Sequence, residues 1–446
     1  MTQGVRLSQK AAPSTLQRLG YNFLSLVVLQ GINYLVPLIT IPYLVRVMGI
    51  DQFGLLSFVM AVTLYGVMVT DYGFDLSATK LVSIHRHEPR KLNEIFSAVL
   101  IIKGALAILY MLIITLLTFF VEKFSSVAPL FWIAYLIVIG QVLFPVWFFQ
   151  GIEEMRYITI MNAFSKLFFI VMILVFVKGR EDIDLVLWFN GTGTLIAGLW
   201  ALFLVLRRYG IRLQRVSYEK LWHYLVDGWY IFTSRIAVEL YSSANIIILG
   251  FFASNAVVGY YAIVEKIIHA MGNVLEPLTR AVYPYLAKLY RDSSELFYKR
   301  NVQLSLLIVA MMLPVTLGTA YFAQEILQII IGHPPRPEVV HMLQLASVVL
   351  VGYLYGSQFT NMLVTIGETK VLNAIVMIAG VLNIILAPLV LYLGGGAMGL
   401  IWILILVDFF IAITKGYFVY VRLKPRYFGV GYSSDPRGSV HSGSKG

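Results

Sequence analysis

No cysteine occurs anywhere in the 446 residues, which excludes disulfides, thiolate metal sites and cysteine nucleophiles. Charge is nearly as scarce. Asp, Glu, Lys and Arg make up 13% of the chain, against about 25% in a soluble domain. Also missing are the GxxxxGK[ST] phosphate loop and the HExxH metal motif, so neither nucleotide hydrolysis nor zinc proteolysis has its usual framework. No stretch between apolar runs is long enough to hold a catalytic domain outside a membrane. The reading that follows is a protein that is not an enzyme and needs no cofactor.

What fills the space is hydrocarbon. Apolar residues reach 59% and the mean hydropathy is +0.81, values that belong to a membrane protein. At roughly 20 apolar residues per crossing, twelve segments emerge: 22–44, 53–82, 94–121, 129–150, 158–177, 185–206, 228–251, 257–287, 301–322, 338–366, 371–393 and 397–421. The first is too long for a signal-peptide core and is followed by no small-residue cleavage site, so it is read as a retained helix. Residues 207–227, with Leu221, Trp222 and Leu225 on one side, read as a linker carrying an interfacial helix. They divide the chain into residues 1–206 and 228–421, six helices each, followed by a Gly/Ser-rich disordered tail at 422–446. MGIDQFGLLSF and LGFFASNAVVGYYAI enter the second and eighth segments as a faint internal echo. The fold class expected is therefore an all-α polytopic membrane protein: about twelve transmembrane helices in two six-helix bundles related by pseudo-symmetry, set in a V around a central cavity.

The net charge of +11 is a topology signal and not a nucleic-acid footprint. With the N-terminus placed in the cytoplasm, 23 Lys and Arg fall on the cytoplasmic side and 5 on the other. That asymmetry puts both termini in the cytoplasm.

Twelve ions remain inside the spans. The cations are Lys103, Lys166, Arg235, Lys266, Arg280 and Lys415, and the acids are Asp71, Asp75, Glu239, Glu265, Glu276 and Asp408. At roughly 3 kcal/mol each, facing all of them to lipid would cost on the order of 36 kcal/mol. They must face one another or internal water. At 100° per residue, Glu265, His269, Asn273, Glu276 and Arg280 share one narrow stripe, Asp71 and Asp75 lie about 40° apart, and Arg235 and Glu239 are one turn apart. Each pair has a plain reading, an ion pair that orients helices. Each also has a sharper one, a wet lining shared by several helices. Glu265 and His269 are either a hydrogen-bonded pair or a proton-coupling one. Lys103 and Lys166 have no acid on their own helices, which points to an anionic visitor.

The stretch TDYGFDLSATK (70–80) resembles the second-helix signature of Wzx-like O-antigen flippases, in the polysaccharide transporter family of the multidrug/oligosaccharidyl-lipid/polysaccharide superfamily. The likeness continues in IPYLVRVMGIDQFGLLSF (41–58), FPVWFFQGIEEMRYI (144–158), LVDGWYIFTSR (225–235) and GYYAIVEKIIHAMGNVLEPLTRAVYPYLAK (259–288). Asp75 stands where the family has Asn, and Lys80 where it has Arg. The resemblance implies flipping of undecaprenyl-pyrophosphate-linked oligosaccharide repeat units from the inner to the outer leaflet of the bacterial inner membrane, by alternating access. On that reading Arg235, Arg280, Lys103 and Lys166 attract the pyrophosphate or acidic sugars. Asp71, Asp75, Glu239, Glu265 and His269 balance charge or carry coupling protons or sodium. Membrane lipids, a polysaccharide polymerase and a chain-length regulator are the implied partners, and nucleic acid is not. Competing readings are a multidrug or organic-cation antiporter of the same superfamily, a membrane polysaccharide polymerase or glycosyltransferase, and a scaffold without transport.

Overall fold

The computed structural model of the chain describes residues 15–427; side chains before Gly31 and at some later positions, Glu276 and Arg280 among them, lie outside the described residues. Everything described is helix and connection, with no strand. The helices in chain order are α1 (Thr15–Asp71), α2 (Phe74–Ile84), α3 (Pro89–Phe120), α4 (Glu122–Ser125), α5 (Ala128–Leu143), α6 (Val146–Gly151), α7 (Met155–Phe176), α8 (Ile183–Arg208) and α9 (Tyr218–Ser242). Then follow α10 (Ala244–Phe252), α11 (Asn255–Gly272), α12 (Glu276–Asp292), α13 (Ser294–Tyr321), α14 (Ala323–Ile331), α15 (Pro337–Ala346), α16 (Val349–Thr365), α17 (Thr369–Tyr392) and α18 (Gly396–Tyr427). Long apolar runs become helices here because in hydrocarbon each backbone N–H must find its acceptor within the segment.

Among the described residues nine helices are long and apolar enough to cross a membrane, ten with the pair α9 and α10, which meet at 48°. The chain is a multi-pass membrane protein. The count falls short of twelve because hydropathy does not see where helices break. The first two expected segments are one 57-residue run, α1. Straight, it would extend about 85 Å, but Gly49 leaves the helical region at φ 80° and turns it. The expected 53–82 helix is broken at Tyr72 and Gly73, with φ of 46° and 78°. The expected 257–287 helix is interrupted by a 3₁₀ turn at Asn273–Leu275. The interfacial helix expected within 207–227 is not separate either, since α9 starts at Tyr218 and runs on without a break.

Two ends can be distinguished. Residues 85–88, 152–154 and 209–217 gather at one, the basic end, where Arg86 Nη1 lies 3.4 Å from Glu153 Oε1 and the Arg212 N–H donates to Asn93 Oδ1 at 2.9 Å. At the opposite end α1 and α11 touch backbone to backbone. A Cβ on Gly54 would fall into the Asn255 carbonyl, and one on Gly259 into the Ile50 carbonyl. Beside this contact, Phe58 is fully buried and meets Phe124, Phe131 and Phe251 edge-on at 5.9, 6.2 and 6.0 Å. Such pairs each add about 0.5–1.5 kcal/mol beyond burial. This end is closed by tight packing, with Lys123 Nζ donating to the Asn255 side-chain oxygen at 2.8 Å within it.

Candidate functional site: a polar cavity and two aspartates

Between α1, α5, α7, α8 and α11 lies a cavity of about 560 Å³. Its uncharged polar wall includes Gln141 on α5, Asn162 and Ser165 on α7, and Asn190 and Thr194 on α8. Lys166, Glu265, Lys266 and His269 supply its charges. A neighbouring space of about 390 Å³ shares Lys266 and His269 and reaches Asn33. Tertiary packing fixes the wall. A Cβ on Gly140 would lie 2.6 Å from the Thr194 carbonyl carbon, so α5 and α8 approach at backbone distance, as small residues allow between membrane helices.

Lys166 lies on α7 and lines this cavity. Among the described residues its hydrogen-bond partner is the Asn33 side-chain oxygen, an uncharged group. Glu265 is 8% exposed, and its Oε1 stands 4.0 Å from His269 Nε2 on the next turn of α11. A 3₁₀ turn at Asn273–Leu275 interrupts the helix between Glu265 and Arg280. The Arg280 and Glu276 side chains fall outside the described residues.

Asp71 and Asp75 do not share a helix face. The left-handed pair Tyr72 and Gly73 ends α1 at Asp71 and starts α2 at Phe74. A positive φ is uncommon for a bulky non-glycine residue. Tertiary contact holds Tyr72 there: its ring stacks on Phe232 of α9 at 4.5 Å, and Gly228 leaves the room it needs. The break sends the two carboxylates to different partners. Asp71 Oδ1 takes a hydrogen bond from Lys103 Nζ at 2.7 Å, and the same ammonium donates to the Gln141 carbonyl at 3.2 Å. Lys103 is 2% exposed. The expectation that Lys103 stands unpaired is thus corrected: its acid sits on another helix.

Asp75 pairs with Arg235 on α9. The spacing that suggested an Arg235–Glu239 bridge is overridden, since the arginine crosses to α2 instead. Glu239 receives the Tyr65 hydroxyl on its backbone carbonyl at 2.9 Å, and its carboxylate accepts from Ser242 at 3.4 Å. The Asp75 and Arg235 side chains are 29% and 40% exposed. A second ion pair, Lys220 Nζ to Glu94 Oε2 at 2.7 Å, ties α9 to α3 further towards the basic end. Thr79 anchors α2 itself by donating to the Trp147 carbonyl at 3.1 Å.

Sequence reasoning missed Lys266 as a lining group, because only charges in phase with Glu265 were grouped. Asn33, Gln141 and Asn190 were missed because a polar amide within an apolar run carries no spacing signal.

A helical membrane bundle with a charged internal cavity and one sealed end is the architecture of a transporter. Two solved structures share the fold, each at TM-score 0.70. One is a multidrug resistance MATE family transporter of the MOP superfamily in an inward-facing conformation, 13% identical, covering 89% of this chain and 96% of its own. The other is the lipid II flippase MurJ in an inward closed conformation, 12% identical, covering 94% of each chain.

The sequence carries the assignment further. Residues 19–290 match the model of the polysaccharide biosynthesis protein family. A candidate O-antigen transporter of Escherichia coli (strain K12) is 32% identical over 366 residues, 79% of this chain and 88% of the relative. One from Shigella dysenteriae is 27% identical over 390 residues, 84% and 94% of the two. The chain belongs to the polysaccharide biosynthesis protein family.

Proposed function

We propose that this protein flips an undecaprenyl-pyrophosphate-linked O-antigen or polysaccharide repeat unit from the inner to the outer leaflet of the bacterial inner membrane. One observation carries the reading: Lys166, a cation inside the membrane facing a cavity of about 560 Å³, whose described partner is an amide and not an acid. An ammonium there without a carboxylate is expensive, and an incoming pyrophosphate supplies the missing charge. The amide and hydroxyl groups around it suit sugar, while the polyprenyl tail stays in the bilayer. The names of the relatives and the MurJ fold support the same reading.

The basic end is the cytoplasmic one on this account, with both termini there. Residues 1–206 and 228–421 rock against each other about the 207–227 linker; the tail expected from 422 starts later, since α18 runs to Tyr427 and Arg422 pairs with Glu368 at 2.9 Å. The cytoplasmic mouth opens when Asp75–Arg235 and Lys220–Glu94 part. The opposite mouth opens when the Gly54–Asn255 contact separates. Glu265 and His269 are the groups we assign to proton or sodium coupling. A polysaccharide polymerase and a chain-length regulator are the partners that would consume the flipped unit.

Lys166→Ala, expressed at the normal level in a flippase-null strain, should lower surface O-antigen at least tenfold. Full restoration would remove the reading's main support. A multidrug antiporter is the rival favoured by the MATE likeness; a deletion strain with unchanged O-antigen and heightened drug sensitivity would select it.

A further inference from the structure

The wall of the cavity formed by α5, α7 and α8 carries polar side chains, and two of them are already engaged. Thr194 donates to the Asn190 and Gly191 carbonyls at 2.9 Å each. The Asn162 amide donates to the Ile158 carbonyl at 2.9 Å. Two amides are different. The Asn190 side chain reaches only the Met60 sulfur, at 3.9 Å, a weak acceptor. The Gln141 side chain makes no hydrogen bond among the described residues, although its backbone carbonyl is held by Lys103. Gln141 thus keeps two N–H donors and an oxygen acceptor spare among the described residues, and Asn190 one N–H and its oxygen.

Their relative placement is fixed. Gln141 follows Gly140, which touches the Thr194 backbone, and Asn190 lies one turn of α8 from Thr194. Since Gly191 packs on Leu136, Asn190 lies about five residues along the helix axis from Gln141, roughly 8 Å, on the same α5–α8 wall of the cavity. Lys166 on α7 borders the same wall, because a Cβ on Gly193 of α8 would lie 3.1 Å from the Ser165 carbonyl. Two planar amides with spare donors and acceptors, on one wall of the cavity that Lys166 also lines, suit a hydroxyl-rich group next to an anion.

We infer that Gln141 and Asn190 form a sugar-reading subsite, taking the ring hydroxyls or acylamino group of the sugar attached directly to the pyrophosphate, while Lys166 takes the phosphate. The inference rests on the flippase reading and names the part of the substrate this cavity recognises. A volume of about 560 Å³ is that of an ordinary small-molecule site. It holds a pyrophosphate and its first sugar, and the remaining sugars of a repeat unit extend outside it. A site built to hydrogen-bond hydroxyls discriminates strongly against a ligand lacking them, because its own amides are then left without partners.

The test is binding of two probes to the full-length protein in lipid nanodiscs: a polyprenyl pyrophosphate without sugar, and the same lipid bearing one N-acetylhexosamine. The wild type should prefer the sugar-bearing probe by at least tenfold, the value of about one good hydrogen bond. Gln141→Leu and Asn190→Leu should each erase most of that preference and leave affinity for the bare pyrophosphate within about twofold. Lys166→Met should weaken both probes to the same degree. Should the Leu variants not accumulate, Gln141→Ala and Asn190→Ala give the same readout without added bulk. A preference that survives both substitutions overturns the inference, and so does an equal loss for both probes, the mark of a purely structural role. Failure of the wild type to bind either probe, or a silent Lys166→Met, instead overturns the flippase reading beneath it.

Discussion

Asp71 and Asp75 are one turn apart in sequence and similarly exposed, at 35% and 29%, yet they meet very different cations. Asp71 is held within the first half of the chain by Lys103, whose side chain is 3% exposed. Asp75 reaches into the second half, to an arginine whose side chain is 40% exposed. Removing one partner of a buried pair leaves a bare charge and costs about 3–5 kcal/mol, whereas a half-exposed pair contributes about 0–1 kcal/mol. The two salt bridges thus join different elements: Lys103 ties α3 to the end of α1 and to the α5 backbone, and Arg235 ties α9 to α2. The two ends of the α1 run repeat the contrast. At Gly54 it meets α11 through backbone, beside Phe58 ringed by Phe124, Phe131 and Phe251; just past its other end Tyr72 stacks on α9, which ion pairs tie to α2 and α3.

Breaking the first pair should have the largest effect. Asp71→Ala, which leaves the buried Lys103 ammonium without its acid, is expected to lower stability by about 3–5 kcal/mol, read as a large drop in thermal midpoint in detergent, with part of the loss recovered by Lys103→Met in the same chain. A loss below about 1 kcal/mol would mean the pair is not buried as described. Next comes Gly73→Ala. Its new Cβ would sit 2.6 Å from the Ile231 methyl at a φ of +78°, so left-handed strain and overpacking together predict a loss of about 2–3 kcal/mol. Unchanged stability would show that the break between the two aspartates is not needed. The smallest effect on stability is expected for Arg235→Ala, at most about 1 kcal/mol. Its consequence should lie in the seam: spin labels on α2 and α9 should show a larger open population than in the wild type, and the exchange Asp75→Arg with Arg235→Asp should restore the wild-type distribution.

These contrasts mark what the sequence could and could not convey. Hydropathy made the membrane class, the helical architecture and most segments legible, because burial in lipid is a property of composition. The breaks were not legible in the same way. Gly49 and Gly73 offered a permissive residue, yet Tyr72 adopts its positive φ because Phe232, 160 positions away, stacks on it. Ionic residues were easily found, and their partners were not. Helical phase joins residues three and four apart, whereas Lys103 meets Asp71 and Arg235 meets Asp75 across helices that only the tertiary fold brings together. Lys166 was legible as a cation lacking an acid on its own helix, and Asn33, its actual partner, was not. The candidate sugar-binding amides left no trace, since Gln141 and Asn190 gain meaning only from the cavity they face.

The central claim, that the Asp75–Arg235 seam opens and closes while the Asp71–Lys103 contact stays shut, has a direct test in a chain with no cysteine of its own. Cysteines placed at 75 and 235 in one variant, and at 71 and 103 in another, are bridged by a short thiol-reactive cross-linker after reconstitution, and flipping of lipid-linked oligosaccharide is measured. The account predicts that bridging 75 to 235 abolishes flipping relative to the same protein before cross-linking, while bridging 71 to 103 preserves it. Continued flipping with 75 and 235 bridged would contradict it.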